Sequence, residues 1–320
     1  MKDILYKKIE IKEPIILEII ETPAFQRLKK ISQSGLPDKY SFLKTYSRYE
    51  HSVGVYSLLS MLGATLEEQV AGLLHDISHL AFSHLSEWVF ADGGYKTESF
   101  NEDLTLQFLK NSEIDEILKK YGFKSERIAD LEKFHLLKKK APDLAADRVD
   151  YGLRDMKKYL EVEQEKIDWF IGTLDIWKKT IVFNNLKAAS EFSFLFLRLQ
   201  SELYGGFEAV FRYYFFSKLL KKAIRDAILS KEDFFKDEDH VMGILESRKE
   251  NYIKRGLKIL SNPDLSQLEG VYDDWLHKKF RFVDPLVLVN EKVERLSDVD
   301  SKFKEKLEFE KKENEKGVYV

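Results

Sequence analysis

Only 6 prolines and 15 glycines punctuate these 320 residues. A many-stranded sandwich needs far more turn residues than that, so the chain is expected to fold chiefly as helices. The segment Pro14–Ser34 places Ile16, Ile19, Ile20, Phe25, Leu28 and Ile31 near helical spacing, with Thr22 capping a second helix that Pro23 opens. His51–Leu62 and Thr65–Asp76 follow, the latter opened by a Thr65/Glu68 capping-box pattern. Glu98–Leu109, Ser112–Lys120 and Ala145–Leu160 read as further helices. Ser190–Leu229 is an aromatic-rich helical stretch broken at Gly205-Gly206, and Met242–Leu260 and Leu265–Phe280 are helical again. Ile181–Asn185 suits a strand or a turn. After Pro285, LVLVN and KFKEKLEFEKK, with Phe303, Leu307 and Phe309 set among charges, predict a small β ribbon, the alternative being a frayed charged helix. The expected architecture is mainly α, with a core over residues 1–230 and a smaller α+β part over 231–320.

Charge and composition narrow the function. Lys plus Arg is 52 against 55 Asp plus Glu, so no global polyanion-binding surface is expected, although a local basic pocket or groove stays open. Cysteine is absent, which excludes disulfides, Cys-ligated zinc, iron–sulfur clusters and thiol nucleophiles. Any metal must be held by His, Asp and Glu. No apolar run reaches the roughly 20 residues of a membrane span. The opening MKDILYKKIEIKEP lacks an apolar signal core. A soluble, cytoplasmic protein without a membrane partner is the expectation.

The histidines are clustered. His51, His75, His79 and His84 fall within 34 residues, whereas His135, His240 and His277 are isolated. His75-Asp76 ends an apolar helix pattern, where a carboxylate is costly to bury unless something neutralises it. A divalent cation does so, and imidazole plus carboxylate suits Mn, Mg, Fe, Ni or Zn. Further along, Asp147, Tyr151 and Asp155 share one helix face, bordered by Arg148.

Four blocks in order carry a recognisable pattern: TPAFQRLKKISQSG, RYEHSVGV, HDISHLAFSH and ADRVDYGLRD. Over roughly residues 10–230 the chain resembles the HD-domain phosphohydrolases, within them the dGTPase and SAM-and-HD-domain deoxynucleotide triphosphohydrolase branch. The resemblance implies an HD-domain helical bundle and one divalent metal ion held by His51, His75, Asp76 and Asp147. It implies hydrolysis of deoxynucleoside triphosphates to deoxynucleoside and inorganic triphosphate. Arg48 would hold the α-phosphate and Arg148 the phosphate tail. His79 and His84 would contact phosphate or donate a proton, with Glu87 orienting a catalytic His. Gln33 and Ser34 would line the sugar side. Tyr151 would block a 2′-hydroxyl, Asp155 would bind the 3′-hydroxyl, and Tyr213 or Tyr214 would add a sugar-side aromatic. A homo-oligomer and a nucleotide effector belong to the same expectation; a nucleic-acid partner is left open.

One departure stands out. Where that branch carries a downstream His-Glu pair, this chain has Asn101-Glu102, and asparagine cannot transfer a proton near pH 7. Either His79 or His84 does that work, or the substrate is a nucleoside monophosphate or modified nucleotide, or the protein is a catalytically weakened nucleotide-binding regulator.

Overall fold

The computed structural model describes residues 2–90, 104–272, 274–276, 279–289 and 292–320. The chain opens with a short antiparallel hairpin, β1 (Lys2–Asp3) and β2 (Lys7–Lys8). Helices α1 (Pro14–Ile20) and α2 (Pro23–Gln26) follow, and the Thr22 hydroxyl accepts from the Phe25 amide at 3.2 Å as its position before Pro23 implies. Helix α3 (Arg48–Met61) begins three residues before the apolar pattern does. Ser47 and Glu50 close a reciprocal capping box there, which draws Arg48 into the first turn. Helix α4 (Leu66–Leu74) packs along α3. Thr65 caps it from the side chain, but Glu68 turns away to accept from the Leu136 and Leu137 amides.

Helix α5 (Ser83–Phe90) is entered through left-handed backbone at Phe82 (φ 68°) and Ser83 (φ 46°). L-residues adopt that conformation at a cost, and here it turns the chain sharply between the His-Asp pair and His84. Then come α6 (Thr105–Lys110), α7 (Ile114–Lys120), α8 (Ser125–Ile128), α9 (Ala146–Tyr159) and α10 (Gln164–Gly172). In α9 the apolar residues Val149, Leu153 and Met156 are fully buried, which leaves the acidic face to define the site. Strands β3 (Leu174–Trp177) and β4 (Thr180–Phe183) form a hairpin. Helices α11 (Leu186–Arg198) and α12 (Phe207–Arg225) are joined by a π turn, Leu199–Tyr204, and separated at Gly205-Gly206.

Beyond α13 (Glu238–Glu246) and α14 (Asn251–Leu260), two expectations are corrected. Residues 265–280 are not a helix. Among the described residues they hold a 3₁₀ turn, Ser266–Leu268, and strand β5 (Trp275–Leu276). The ribbon is made by β6 (Leu286–Val289) and β7 (Lys292–Arg295), whereas KFKEKLEFEKK lies in helix α16 (Ser301–Glu315), after a short α15 (Leu296–Val299). Phe303 and Leu307 are four apart, so a helix buries both on one side. Their alternation with charge is the shadow of that period, and Phe309 is left 54% exposed. Strand β8 (Val318–Tyr319) pairs with β5. Strand β6 pairs parallel to β4, giving a four-stranded sheet in the order β3-β4-β6-β7. The main apolar cluster runs from Ile15 and Phe25 through Leu59, Leu153 and Phe192 to Val287, Phe303 and Leu307. The fold is mainly helical with small sheets, and no helix among the described residues is long and apolar enough to cross a membrane.

Candidate active site

Three elements meet at a cluster of buried charge. Helix α3 contributes His51, the C-terminal end of α4 contributes His75 and Asp76, and the first turn of α9 contributes Asp147. One ligand atom from each of His51, His75 and Asp147 lies within 4.8 Å of the other two. His51 Nε2 is 3.1 Å from Asp147 Oδ1, and His75 Nε2 is 3.7 Å from the same oxygen. Asp76 completes the group from one side. Its Oδ1 is 3.4 Å from His75 Nε2 and its Oδ2 3.8 Å from His51 Nε2, while Oδ2 also accepts from Arg48 at 2.6 Å.

The residues fit a cation. His75 gives its Nδ1 to the Gly72 carbonyl at 2.7 Å, and its Nε2 is buried with no hydrogen-bond partner. A buried polar atom without a partner calls for an explanation, and an imidazole nitrogen aimed between two carboxylates is a ligand position. Two imidazoles with one or two carboxylates, and no thiolate, match the hard-to-borderline divalent ions. Electrostatics agree. Burial raises the Asp147 carboxyl, but His51 and His75 overcome it and hold it well below the usual range. Asp76 is likewise raised by burial and brought well below by Arg48, His75 and His79. Burial lowers the His51 imidazole, yet Asp147 and Asp150 outweigh it and take it up to about 9. A cation and that proton compete for one nitrogen, so metal binding releases a proton.

Beside this cluster opens a cleft of about 1090 Å³ including its mouth. Gln33, Ser34, His84, Glu87, Tyr151, Asp155 and Tyr213 all line it. Tyr151 joins the two halves: its ring is 6.4 Å from that of His51 and 6.3 Å from that of Tyr204. Gln33 Oε1 is buried there without a hydrogen-bond partner. His84 lies with Nδ1 3.4 Å from Glu87 Oε1, its ring edge-on to His79 at 5.2 Å. His79 itself is buried, with Nε2 3.1 Å from Asp76 Oδ1. Burial and the Arg48 charge push it down to about 3, so it is a neutral imidazole near pH 7.

Two arginines are engaged with protein atoms. Arg48 is buried, its fork spent on Ser83 Oγ (3.0 Å), Asp76 and the Gln33 carbonyl (3.4 Å). Arg148 donates to the Asp143 and Lys139 carbonyls. Asp155 accepts from the hydroxyls of Tyr46, at 3.0 Å, and Tyr204. Burial pushes it up to about 7 despite those two donors. Of the paired tyrosines, Tyr213 reaches the cleft and donates to the Ser34 carbonyl. Tyr214 does not: it points from the other side of α12 to Asp274 and packs on Tyr272. Asn101 and Glu102 lie outside the described residues.

Sequence reading missed several participants. Tyr46, Tyr159, Tyr204 and Trp88 furnish the aromatic wall, and Lys279 and Arg281 line the cleft from the far end of the chain. Asp150 and Arg154 support His51 from behind. The last two were visible as members of the α9 acidic face at positions 147, 150, 151, 154 and 155; the others carry no local signal.

A family model described as HD domain matches residues 48–167, which spans all four residues of the charged cluster. A Bacillus subtilis (strain 168) protein, the uncharacterized YdhJ, is 33% identical over 325 residues, covering 100% of this chain and 98% of its own. The chain belongs to the HD-domain metal-dependent phosphohydrolases. Among other relatives, the metal-dependent phosphohydrolase cns2 of Cordyceps militaris is 33% identical over 54% of this chain and 50% of its own length. The deoxynucleoside triphosphate triphosphohydrolase SAMHD1 of Gallus gallus is 31% identical over 38% of this chain and 23% of its own. A crystal structure of a phosphohydrolase from Bacteroides thetaiotaomicron superposes with a TM-score of 0.72 over 94% of each chain at 16% identity, and so shares the fold. This HD-domain protein is therefore a metal-dependent hydrolase, with His51, His75 and Asp147 as the cluster that suits the ion.

Proposed function

We propose that the substrate is a deoxynucleoside triphosphate, cleaved to deoxynucleoside and inorganic triphosphate. The observation that carries this is the adjoining of the two halves of the site: an aromatic-lined cleft opens beside the charged cluster, and Tyr151 lies between them. When bound, a divalent cation supplies Lewis acidity and a water nucleophile at neutral pH. The chain's own residues do the rest. Tyr46, Trp88, Tyr151, Tyr204 and Tyr213 offer faces and edges to a base and sugar. In this reading Asp155, which also accepts from Tyr46 and Tyr204, bonds the 3′-hydroxyl, and the Tyr151 ring packs against C2′, so an added hydroxyl is disfavoured. Water attacks the α-phosphorus and yields a proton to solvent, the bond to O5′ breaks with its electron pair left on O5′, and His84 gives O5′ its proton, with Glu87 beside it to orient the ring. His79 serves as a neutral donor to Asp76 rather than as the acid. Arg48 reaches the α-phosphate only along the edge that Asp76 leaves open, so its main work is to keep Asp76 ionised. Lys279 and Arg281, with Arg148, supply positive charge for the phosphate tail.

The relative named deoxynucleoside triphosphate triphosphohydrolase supports this reading over the part it aligns with. The test is the product. Mn(II)-loaded protein incubated with each dNTP should release inorganic triphosphate, and ATP should be turned over more slowly than dATP. Pyrophosphate or phosphate as the product, or turnover of nucleoside monophosphates alone, sinks it.

A further inference from the structure

Behind the metal cluster lies a second set of buried charges that the proposed reaction does not use. Asp150 and Arg154, both on α9, are fully buried. Asp150 Oδ2 lies 2.8 Å from His51 Nδ1 and accepts from Arg154 Nε at 2.7 Å, while its Oδ1 accepts from the Tyr6 hydroxyl at 2.8 Å. The other side of Arg154 donates to Asp3 Oδ2 at 2.9 Å. Asp3 Oδ1 meanwhile accepts from the Leu5 and Tyr6 amides at 2.8 and 3.1 Å, which makes the turn between β1 and β2. The hairpin thus delivers one carboxylate and one hydroxyl onto the Asp150–Arg154 pair. Room is made on α3 by Gly54, where a Cβ would lie 2.2 Å from both Arg154 and Asp150 Oδ1.

The chemistry of this set has one outcome for His51. A carboxylate that accepts from an arginine and a tyrosine has no proton to give, so His51 Nδ1 is the donor, and Nε2, which faces Asp147, is left as the nitrogen that can exchange its proton for a cation. Remove Asp3, and Arg154 keeps a single carboxylate that it must share with His51. Buried charge left without its partner drives rearrangement. Arg154 also lies 5.6 Å over the Tyr46 ring, whose hydroxyl holds Asp155, so the same guanidinium touches both halves of the site.

We infer that the N-terminal hairpin is part of the metal centre: Asp3 and Tyr6 are positioning residues that act through Asp150 and Arg154 to hold His51 ready for the cation. This goes beyond the choice of nucleotide, and its readout is metal affinity rather than turnover, so it stands or falls apart from the dNTP reading. The experiment compares Mn(II) affinity, measured from the EPR signal of free Mn(II), in the parent, Asp3→Asn, Tyr6→Phe and the double variant. Asp3→Asn keeps the oxygen that makes the turn and loses only the charge. Leu245→Ala, in the separate apolar cluster around Phe216 and Phe234, is the control for general loss of stability. At a temperature where circular dichroism shows every variant folded, the double variant should bind Mn(II) roughly 10-fold more weakly, with Leu245→Ala at parent affinity. Should the double variant not fold, Tyr6→Phe, which deletes one hydroxyl, carries the test with a smaller loss in the same direction. Parent-like affinity in the folded hairpin variants, or equal weakening in Leu245→Ala, overturns the inference.

Discussion

The two halves of the site treat the same side chain in opposite ways. At the charged cluster Asp76 and Asp147 are held well below the usual carboxylate range, and in the adjoining cleft Asp155, two turns beyond Asp147 on α9, is pushed up to about 7. All three suffer desolvation. The difference is in the neighbours: Arg48, His75 and His51 bring positive charge to the first two, whereas Tyr46 and Tyr204 bring only neutral hydroxyls to the third. A dipole donates a hydrogen bond but does not offset a buried charge as a cation does. On α9 alone the contrast is between Asp147, which two imidazoles keep ionised, and Asp155, which burial among neutral hydroxyls raises: the first suits a cation and the second an uncharged polar group.

The comparison breaks most visibly at the metal end. Asp147→Ala or His75→Ala should abolish Mn(II) binding, read by calorimetry, and with it all detectable turnover. If either variant keeps parent affinity, the cluster is not the metal site. Next in size is the junction. His84→Ala should lower kcat by roughly 10²–10⁴-fold while Mn(II) affinity stays at the parent value. His79→Ala should instead disturb Asp76 and weaken the metal. Full turnover in His84→Ala would mean that another group or the substrate supplies the proton.

At the sugar end the effects shrink. Tyr151→Ala should narrow the preference for dATP over ATP by roughly 10-fold, measured as the ratio of kcat/KM values. An unchanged ratio removes Tyr151 as the gate. The last effect is on stability rather than turnover, at Asp155. A carboxyl raised in the native state binds its proton more tightly folded than unfolded. Its contribution to stability therefore falls as pH rises from about 4 to about 7, and is level above that. Asp155→Asn does not ionise, so its stability relative to the parent should improve across that window by up to about 4 kcal/mol. Parallel Tm curves for the two proteins from pH 4 to pH 8 would show that Asp155 is not raised.

What was legible in the chain followed from local rules. Helices α3, α4 and α9 could be read because apolar spacing, Thr65 and the acidic first turn are all within one or two turns of one another. The charged cluster could be read because the order of its motifs, His, His-Asp, Asp, resembles that of the HD-domain family. The error in α16 has a local cause too: Phe303, Leu307 and Phe309 fit a two-residue period as readily as a helical one when charges fill the gaps. The choice between Tyr213 and Tyr214 could not be made from sequence, since adjacent helical residues point about 100° apart and only the packing of α12 on α5 says which one meets the cleft.

Composition and periodicity indicated a mainly helical protein whose metal would be held without sulfur, and the resemblance of its motifs to the HD-domain family pointed to His51, His75, Asp76 and Asp147. Tertiary structure decided everything that needs distant residues to meet. It placed Lys279 and Arg281 on the cleft wall, set Tyr46 and Tyr204 on Asp155, and laid Asp3 and Tyr6 against a charge pair about 150 residues away. The physical reason is one of range. Backbone hydrogen bonding and helical period act over a few residues and leave their mark in the order of the letters. Desolvation and ion pairing act through space, and depend on which buried neighbours the folded core brings within a few ångströms.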